Sequence, residues 1–212
     1  MSFKQMAGIK WFRQKLDYHW FHKVTVPRYL GLLGPGKVAI DCGANIGLVT
    51  AQLAATGATV HAFEPHPEVF QKLVERTRDM PNVICHQAAV GPEAGRAKLY
   101  MHADFENNPD AWAASSLRLD KGNVSADSFV EVDVVSLTDF IADHGPVTFL
   151  KIDIEGAEYD VLNSLLDTGR AQSVEQIAVE IHTKAPEMKF ARDRLVERIT
   201  REKIPNIDLG WR

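Results

Sequence analysis

The sequence predicts an α/β fold, a mostly parallel sheet with helices on both faces. Two patterns point there. After the turn Gly34-Pro35-Gly36, short apolar runs alternate with segments of helical period. A glycine-bearing loop, Asp41-Cys42-Gly43-Ala44-Asn45-Ile46-Gly47, also lies directly between the first run and its helix. The 212 residues suffice to bury a core without disulfide or metal staples.

Taken in order, 37–40 reads as a strand, 46–55 as a helix, 59–63 as a second strand, and 67–78 as a helix opened by Pro67. A third strand follows at 82–87. Residues 129–135 are β-rich, 137–142 helical, and 147–152 another buried run. The pattern closes with a helix at 157–166, a strand at 176–181 and a charged amphipathic helix at 188–203. Residues 103–128, rich in Asp, Asn, Pro, Ser and Gly, interrupt the rhythm and predict a long loop over one end of the sheet. Residues 1–35 form a basic, aromatic leader in which Ile9, Phe12, Leu16 and Trp20 keep helical spacing, and 36–212 form the main domain. The leader helix reads as packed over an edge of the core, with membrane-surface or partner docking as the alternative.

Charge and cysteine content narrow the function classes. A net charge of −4, from 24 Lys and Arg against 28 Asp and Glu, disfavours life on nucleic-acid phosphates. The basic residues of 188–203 are interleaved with Asp193, Glu197 and Glu202, which predicts a solvated helix of paired charges and not an RNA-binding stripe. Cys42 and Cys85 have no metal-binding spacing and read as reduced thiols, so a cytoplasmic protein is expected. No secretory h-region follows the start. The stretch 42–63 lacks Asp, Glu, Lys and Arg, but its glycines, Asn45, Gln52 and His61 make it too polar to span a membrane.

Four features carry chemistry. In the first loop, Gly43 and Gly47 let the backbone approach a ligand, and the helix behind them offers N–H groups to a carboxylate. Their spacing is Gly-x-x-x-Gly and not G-x-G-x-x-G, which weakens a nicotinamide-dinucleotide reading, while Asp41 suits a cation or amino group. Glu64 ends the second strand, 23 residues after Asp41, where an acid can accept both hydroxyls of a ribose. The alternative is that Glu64 only opens the turn before Pro65. Together they describe a seat for an amino-acid-bearing nucleoside, and S-adenosylmethionine fits. Third comes Lys151-Ile152-Asp153-Ile154-Glu155-Gly156-Ala157-Glu158, where alternation puts Lys151, Asp153 and Glu155 on one side. Capping of the next helix is the alternative use of Asp153 or Glu155. Fourth is Glu180-Ile181-His182, in which His182 is either a site residue or a satisfied structural histidine.

These motifs, Ile-Asp-Cys-Gly-Ala-Asn-Ile-Gly, Phe-Glu-Pro-His-Pro and Lys-Ile-Asp-Ile-Glu-Gly-Ala-Glu, resemble the FkbM family of S-adenosylmethionine-dependent methyltransferases over residues 37–182. The resemblance implies a Rossmann-like class I methyltransferase fold with the Asp153 and Glu180 strands adjacent. It implies that Asp41, Gly43, Ala44, Asn45 and Gly47 surround the methionine end of the cofactor, with Glu64 and Pro65 at the ribose. Ala89, in Ala89-Val90-Gly91, would flank the adenine, and Ser115 would stand near cofactor and substrate. That fold has two further strands after the last helix, yet only 206–212 remain, so a shortened C-terminal edge is expected, completed by nothing or by a second copy of the chain.

The implied reaction is methyl transfer, most often to a hydroxyl of a sugar, polyketide or related small metabolite. Asp153 and His182 are the candidate bases, the latter because an unperturbed imidazole titrates near pH ~6.5. Glu155 and Glu180 would orient them, and Asp153 would also border the cofactor. A divalent metal on Asp153, Glu180 and His182 is an alternative to unassisted base catalysis, and no resident metal is expected. The rival functions are a catalytically silent cofactor-binding scaffold and an RNA methyltransferase.

Overall fold

The computed structural model describes residues 25–103, 115–119, 123–183 and 186–211. The predicted leader helix and the loop aromatics Phe105 and Trp112 lie outside the described residues. Six strands form the main sheet: β1 (Val38–Cys42), β2 (Thr59–Phe63), β3 (Val83–His86), β7 (Val147–Ile152), β8 (Val174–Val179) and β9 (Ile207–Asp208). Their order is β3-β2-β1-β7-β8-β9, and every pairing is parallel. All six residues of β7 and four of five in β1 are buried, as central parallel strands covered on both faces must be. The α/β class is as the sequence predicts, and β7 and β8 are adjacent as the family resemblance implies.

The helices are α1 (Pro27–Leu30), α2 (Leu48–Ala54), α3 (Pro67–Thr77), α4 (Leu137–His144), α5 (Glu158–Asp167) and α6 (Pro186–Glu202). Pro67 occupies the first turn of α3, where its missing N–H costs nothing. Ser136 caps α4 by accepting the N–H of Asp139. On α6, Arg198 pairs with Asp167 and Glu202, Arg192 with Asp193, and Arg201 with Glu202. Among the described residues, no helix is long and apolar enough to cross a membrane.

A second sheet, of order β4-β6-β5, was not anticipated as a unit. It comprises β4 (Ala89–Gly91), β5 (Gly95–His102) and the 13-residue β6 (Val124–Ser136). β6 starts at Val124, inside the stretch expected to be loop, and Tyr100 on β5 bridges to Ser116.

At the C-terminal edge the two-residue β9 pairs parallel with β8 through Ile177 and Ala178. Trp211 is fully buried beside it, 5.4 Å from the Tyr29 ring, and the Tyr29 hydroxyl donates to Asp208 at 2.6 Å. This edge is therefore tied to the segment that precedes β1. Strand order reverses between β1 and β7, so a crevice opens at the carboxyl ends of these two strands.

Candidate active site

The crevice has an apolar end and an acidic end. Phe63, Val69, Ala89, Val90, Leu99 and Leu117 make the apolar end, a slot suited to a flat heterocycle. Gly43, Asn45, Glu64, Pro65 and Ser115 line the middle, and Asp153, Glu155 and Glu180 the acidic end. The Ser115 hydroxyl donates to Met101 Sδ at 3.7 Å. Most of the residues singled out from sequence thus share one cavity although they come from six separate stretches of chain.

The first loop uses its own amides. The N–H groups of Gly43 and Ala44 both donate to the Phe63 carbonyl, that of Ile46 to Asn45 Oδ1, and that of Gly47 to the Ala44 carbonyl. Through Gly47 the loop therefore meets a ligand as backbone whose amides are already engaged. Gly43 is required there. At φ 74° a side chain is strained, and a Cβ would run into the Asp153 carbonyl oxygen across the crevice floor. Gly47, at φ 81°, instead lets α2 pack on α3, where a Cβ would lie 2.8 Å from Leu73 Cδ1. Ala44 is buried with Ala62 and Leu73. Neither Gly47 nor Ala44 is part of the cavity wall.

Asp41 does not reach the ligand space. It is fully buried, accepts from Thr50 Oγ1 at 2.7 Å and faces Lys151 Nζ at 3.1 Å. Sequence reading put Asp41 opposite the cofactor's charged groups, but strand alternation in β1 turns its side chain below the floor. Lys151, which carried no assigned role, completes that buried pair. Burial alone would lower the pKa of its ammonium, but Asp41 and then Asp153 more than reverse this and hold it well above the usual lysine value.

Glu64 sits at the end of β2 with both oxygens engaged, Oε2 by the Asn45 N–H and Oε1 by the His66 N–H, each at 2.9 Å. These bonds aim the carboxylate and still leave each oxygen a lone pair on the cavity side. Burial pushes its pKa up to about 7, with the two amides pulling the other way.

At the acidic end, Glu155 adopts φ 57°, an uncommon conformation for a residue with a side chain, and Ser116 Oγ donates to its carbonyl at 2.6 Å. His182 is held between two acids, Nδ1 at 2.8 Å from Glu158 and Nε2 at 3.3 Å from Glu155. Burial lowers its pKa, but the Glu158 hydrogen bond and the charges of Glu158, Glu155 and Asp153 outweigh that and raise it to about 9. The imidazole therefore keeps its proton through neutral pH, which corrects the expectation of an unperturbed base. Glu158, fully buried, is the other residue without an assigned role: it also accepts the N–H groups of Ile154 and Gly156. Asp153, Glu155 and His182 each offer one ligand atom within 4.8 Å of the others, so they are the described residues that could hold a cation. The alternative metal trio weighed from sequence had Glu180 in place of Glu155.

A floor of backbone, an apolar slot, a central carboxylate and an acidic rim make a crevice with an excess of negative charge, suited to a flat heterocycle that carries positive charge. Comparison with known proteins gives the chain its family. The Methyltransferase FkbM domain matches residues 41–202, and the chain belongs to the FkbM methyltransferase family, whose cofactor is S-adenosylmethionine. It is 34% identical to 31-O-demethyl-FK506 methyltransferase FkbM of Streptomyces tacrolimicus, over 71% of this chain and 67% of that protein. It is 32% identical to the hexuronic acid methyltransferase AglP of Haloferax volcanii, over 67% and 54% of the two chains, and 30% identical to Methyltransferase 1 of Beauveria bassiana, over 67% and 63%. The match thus spans less than two thirds of the latter two relatives. Among solved structures, SMU.1697c of Streptococcus mutans, determined with SAH, superposes with a TM-score of 0.50 at 11% identity, over 84% of this chain and 82% of that one, a likeness of fold.

Proposed function

We propose that the chain is an O-methyltransferase acting on a hydroxyl of a sugar, polyketide or other small metabolite. The observation that carries this is the meeting of Asp153, Glu155 and Glu180 in one crevice with Gly43, Asn45 and Glu64. The names of two relatives support the acceptor class, one a 31-O-demethyl-FK506 methyltransferase and the other a hexuronic acid methyltransferase.

The residues present fit S-adenosylmethionine. The apolar slot suits adenine, Glu64 can accept ribose hydroxyls, and the acidic rim complements a sulfonium and an ammonium. When bound, the cofactor supplies an electrophilic methyl group that passes from sulfur to the acceptor oxygen. Gly43 and Asn45 border the methionine end. Asp153 accepts the hydroxyl proton as the oxygen becomes nucleophilic. Glu155 and Glu180 orient the acceptor, and protonated His182 holds Glu155 in place from Nε2. The paired charges of α6 support a small acceptor over RNA. Both cysteines are unpaired, which supports a cytoplasmic setting.

Calorimetric titration with S-adenosylmethionine, repeated with NADH, tests the cofactor assignment; micromolar binding of the first alone is expected, and NADH binding would overturn it. Release of S-adenosylhomocysteine across a panel of hydroxylated acceptors then tests the transfer. Cofactor affinity should also depend on pH. Ribose hydroxyls donate to Glu64, so binding favours its ionised form, and affinity should rise as pH passes upward through about 7. Glu64→Gln should bind more weakly at pH 8 and lose that dependence. An unchanged pH profile in the variant would remove Glu64 from the ribose.

A further inference from the structure

We propose that Lys151 is a positioning residue for the cofactor seat: one buried ammonium fixes the Gly43 backbone and the Asp153 carboxylate, the two walls that face each other across the crevice floor. The proposal rests on the reading that S-adenosylmethionine binds in this crevice.

Four oxygens surround Lys151 Nζ: the Gly43 carbonyl at 2.7 Å, Asp41 Oδ1 at 3.1 Å, the Cys42 carbonyl at 3.3 Å and Asp153 Oδ2 at 3.5 Å. An ammonium has three hydrogens, so it cannot serve all four equally. The shortest contact goes to Gly43 and fixes that carbonyl, while the longest restrains Asp153 by charge and leaves it 26% exposed in the lining of the crevice. The same Gly43 lies against the Asp153 carbonyl, so a shift of either wall displaces the other.

The sheet itself has no need of this charge. The other residues of β7 are Val147, Thr148, Phe149, Leu150 and Ile152, all buried, and a well-packed apolar side chain would complete the strand as well or better than a buried ion pair. Burying a charge is costly unless it is fully partnered. Here the partners form a chain, Thr50 to Asp41 to Lys151 to Asp153, running from α2 beneath the floor to the rim. Asp41 has no surface in the crevice, and serves this chain as the counter-ion that keeps the ammonium in place.

Two variants test this with S-adenosylmethionine itself as the probe. Lys151→Arg keeps the charge but replaces a point donor by a wider planar fork. Asp41→Asn with Lys151→Met removes both buried charges together, so neither is left alone. Each is expected to melt, ligand-free, within a few degrees of the parent and to bind S-adenosylmethionine at least tenfold more weakly by calorimetry. Parent-like affinity in either folded variant, or a loss that only follows a fall in melting temperature in both, overturns the positioning role. If the parent protein binds no S-adenosylmethionine, the reading of the crevice fails instead, and the two failures are told apart by that first titration.

Discussion

Asp153→Asn is expected to keep measurable S-adenosylmethionine binding, weakened by about tenfold at most because Glu155 and Glu180 keep the rim acidic, and to lose turnover by about 10²–10⁴-fold, the usual span for a removed general base. The substitution is nearly isosteric, so the Gly43–Asp153 backbone contact on the crevice floor is kept. What it removes is a carboxylate that faces the ligand space at the end of β7, where it is only partly shielded by Lys151. The check is S-adenosylhomocysteine release under saturating acceptor, with cofactor binding measured in parallel. Retained turnover would take Asp153 out of the base role. Retained binding with no turnover in either protein, on every acceptor, would favour a silent cofactor-binding scaffold.

Glu158→Ala is expected to be the most destabilising single change in the site. Glu158 has no exposed surface, and its two oxygens serve the amides of Ile154 and Gly156 as well as His182 Nδ1. Truncation leaves three donors, one of them charged, without their acceptor. Removing one partner of a buried pair typically costs about 3–5 kcal/mol. The loss should depend on pH in a definite direction. The folded-state pKa of His182 is raised, so the stability it contributes is complete below the unfolded value near 6.5 and disappears as pH rises through about 9. Urea unfolding at pH 6 and at pH 10 should therefore give a larger difference between parent and variant at the lower pH. Equal differences would mean that the amide bonds alone account for the effect.

The central strands were legible because their burial is continuous: 59–63 and 147–152 are apolar runs in sequence and strands with the same limits in the fold. The crevice was legible wherever function demanded an unusual residue at a strand end, as with Gly43, Glu64 and Asp153. The second sheet was not, because β5 alternates buried Leu99 and Met101 with exposed Arg96 and half-exposed neighbours, a weak signal beside the loop that follows. Asp41 was found but assigned to the wrong side of the floor, since the face of a residue at a strand end depends on register with β7, which only the fold supplies. Lys151 and Glu158 stood in the quoted motif without a role for a related reason. Their partners, Gly43 and His182, lie 108 and 24 residues away. The basicity of His182 was missed likewise, because it is set by Glu158, Glu155 and Asp153, which the tertiary fold gathers around it.

The parallel strand order also governs how the site comes into being. β1 is built early, yet its neighbour on the far side, β7, pairs through Ala39 with Phe149 and Asp41 with Lys151. During synthesis β1, β2 and β3 can associate while the opposite half of the crevice has still to be made. Closing so long a loop is entropically slow, and parallel pairings of this kind raise contact order and delay folding. Until β7 and β8 dock, Asp41 has no counter-ion and the apolar edge of β1 stays open to mispairing. The binding crevice cannot exist before β7 has docked on β1, and cofactor that binds only the completed crevice would pull the folding equilibrium toward it.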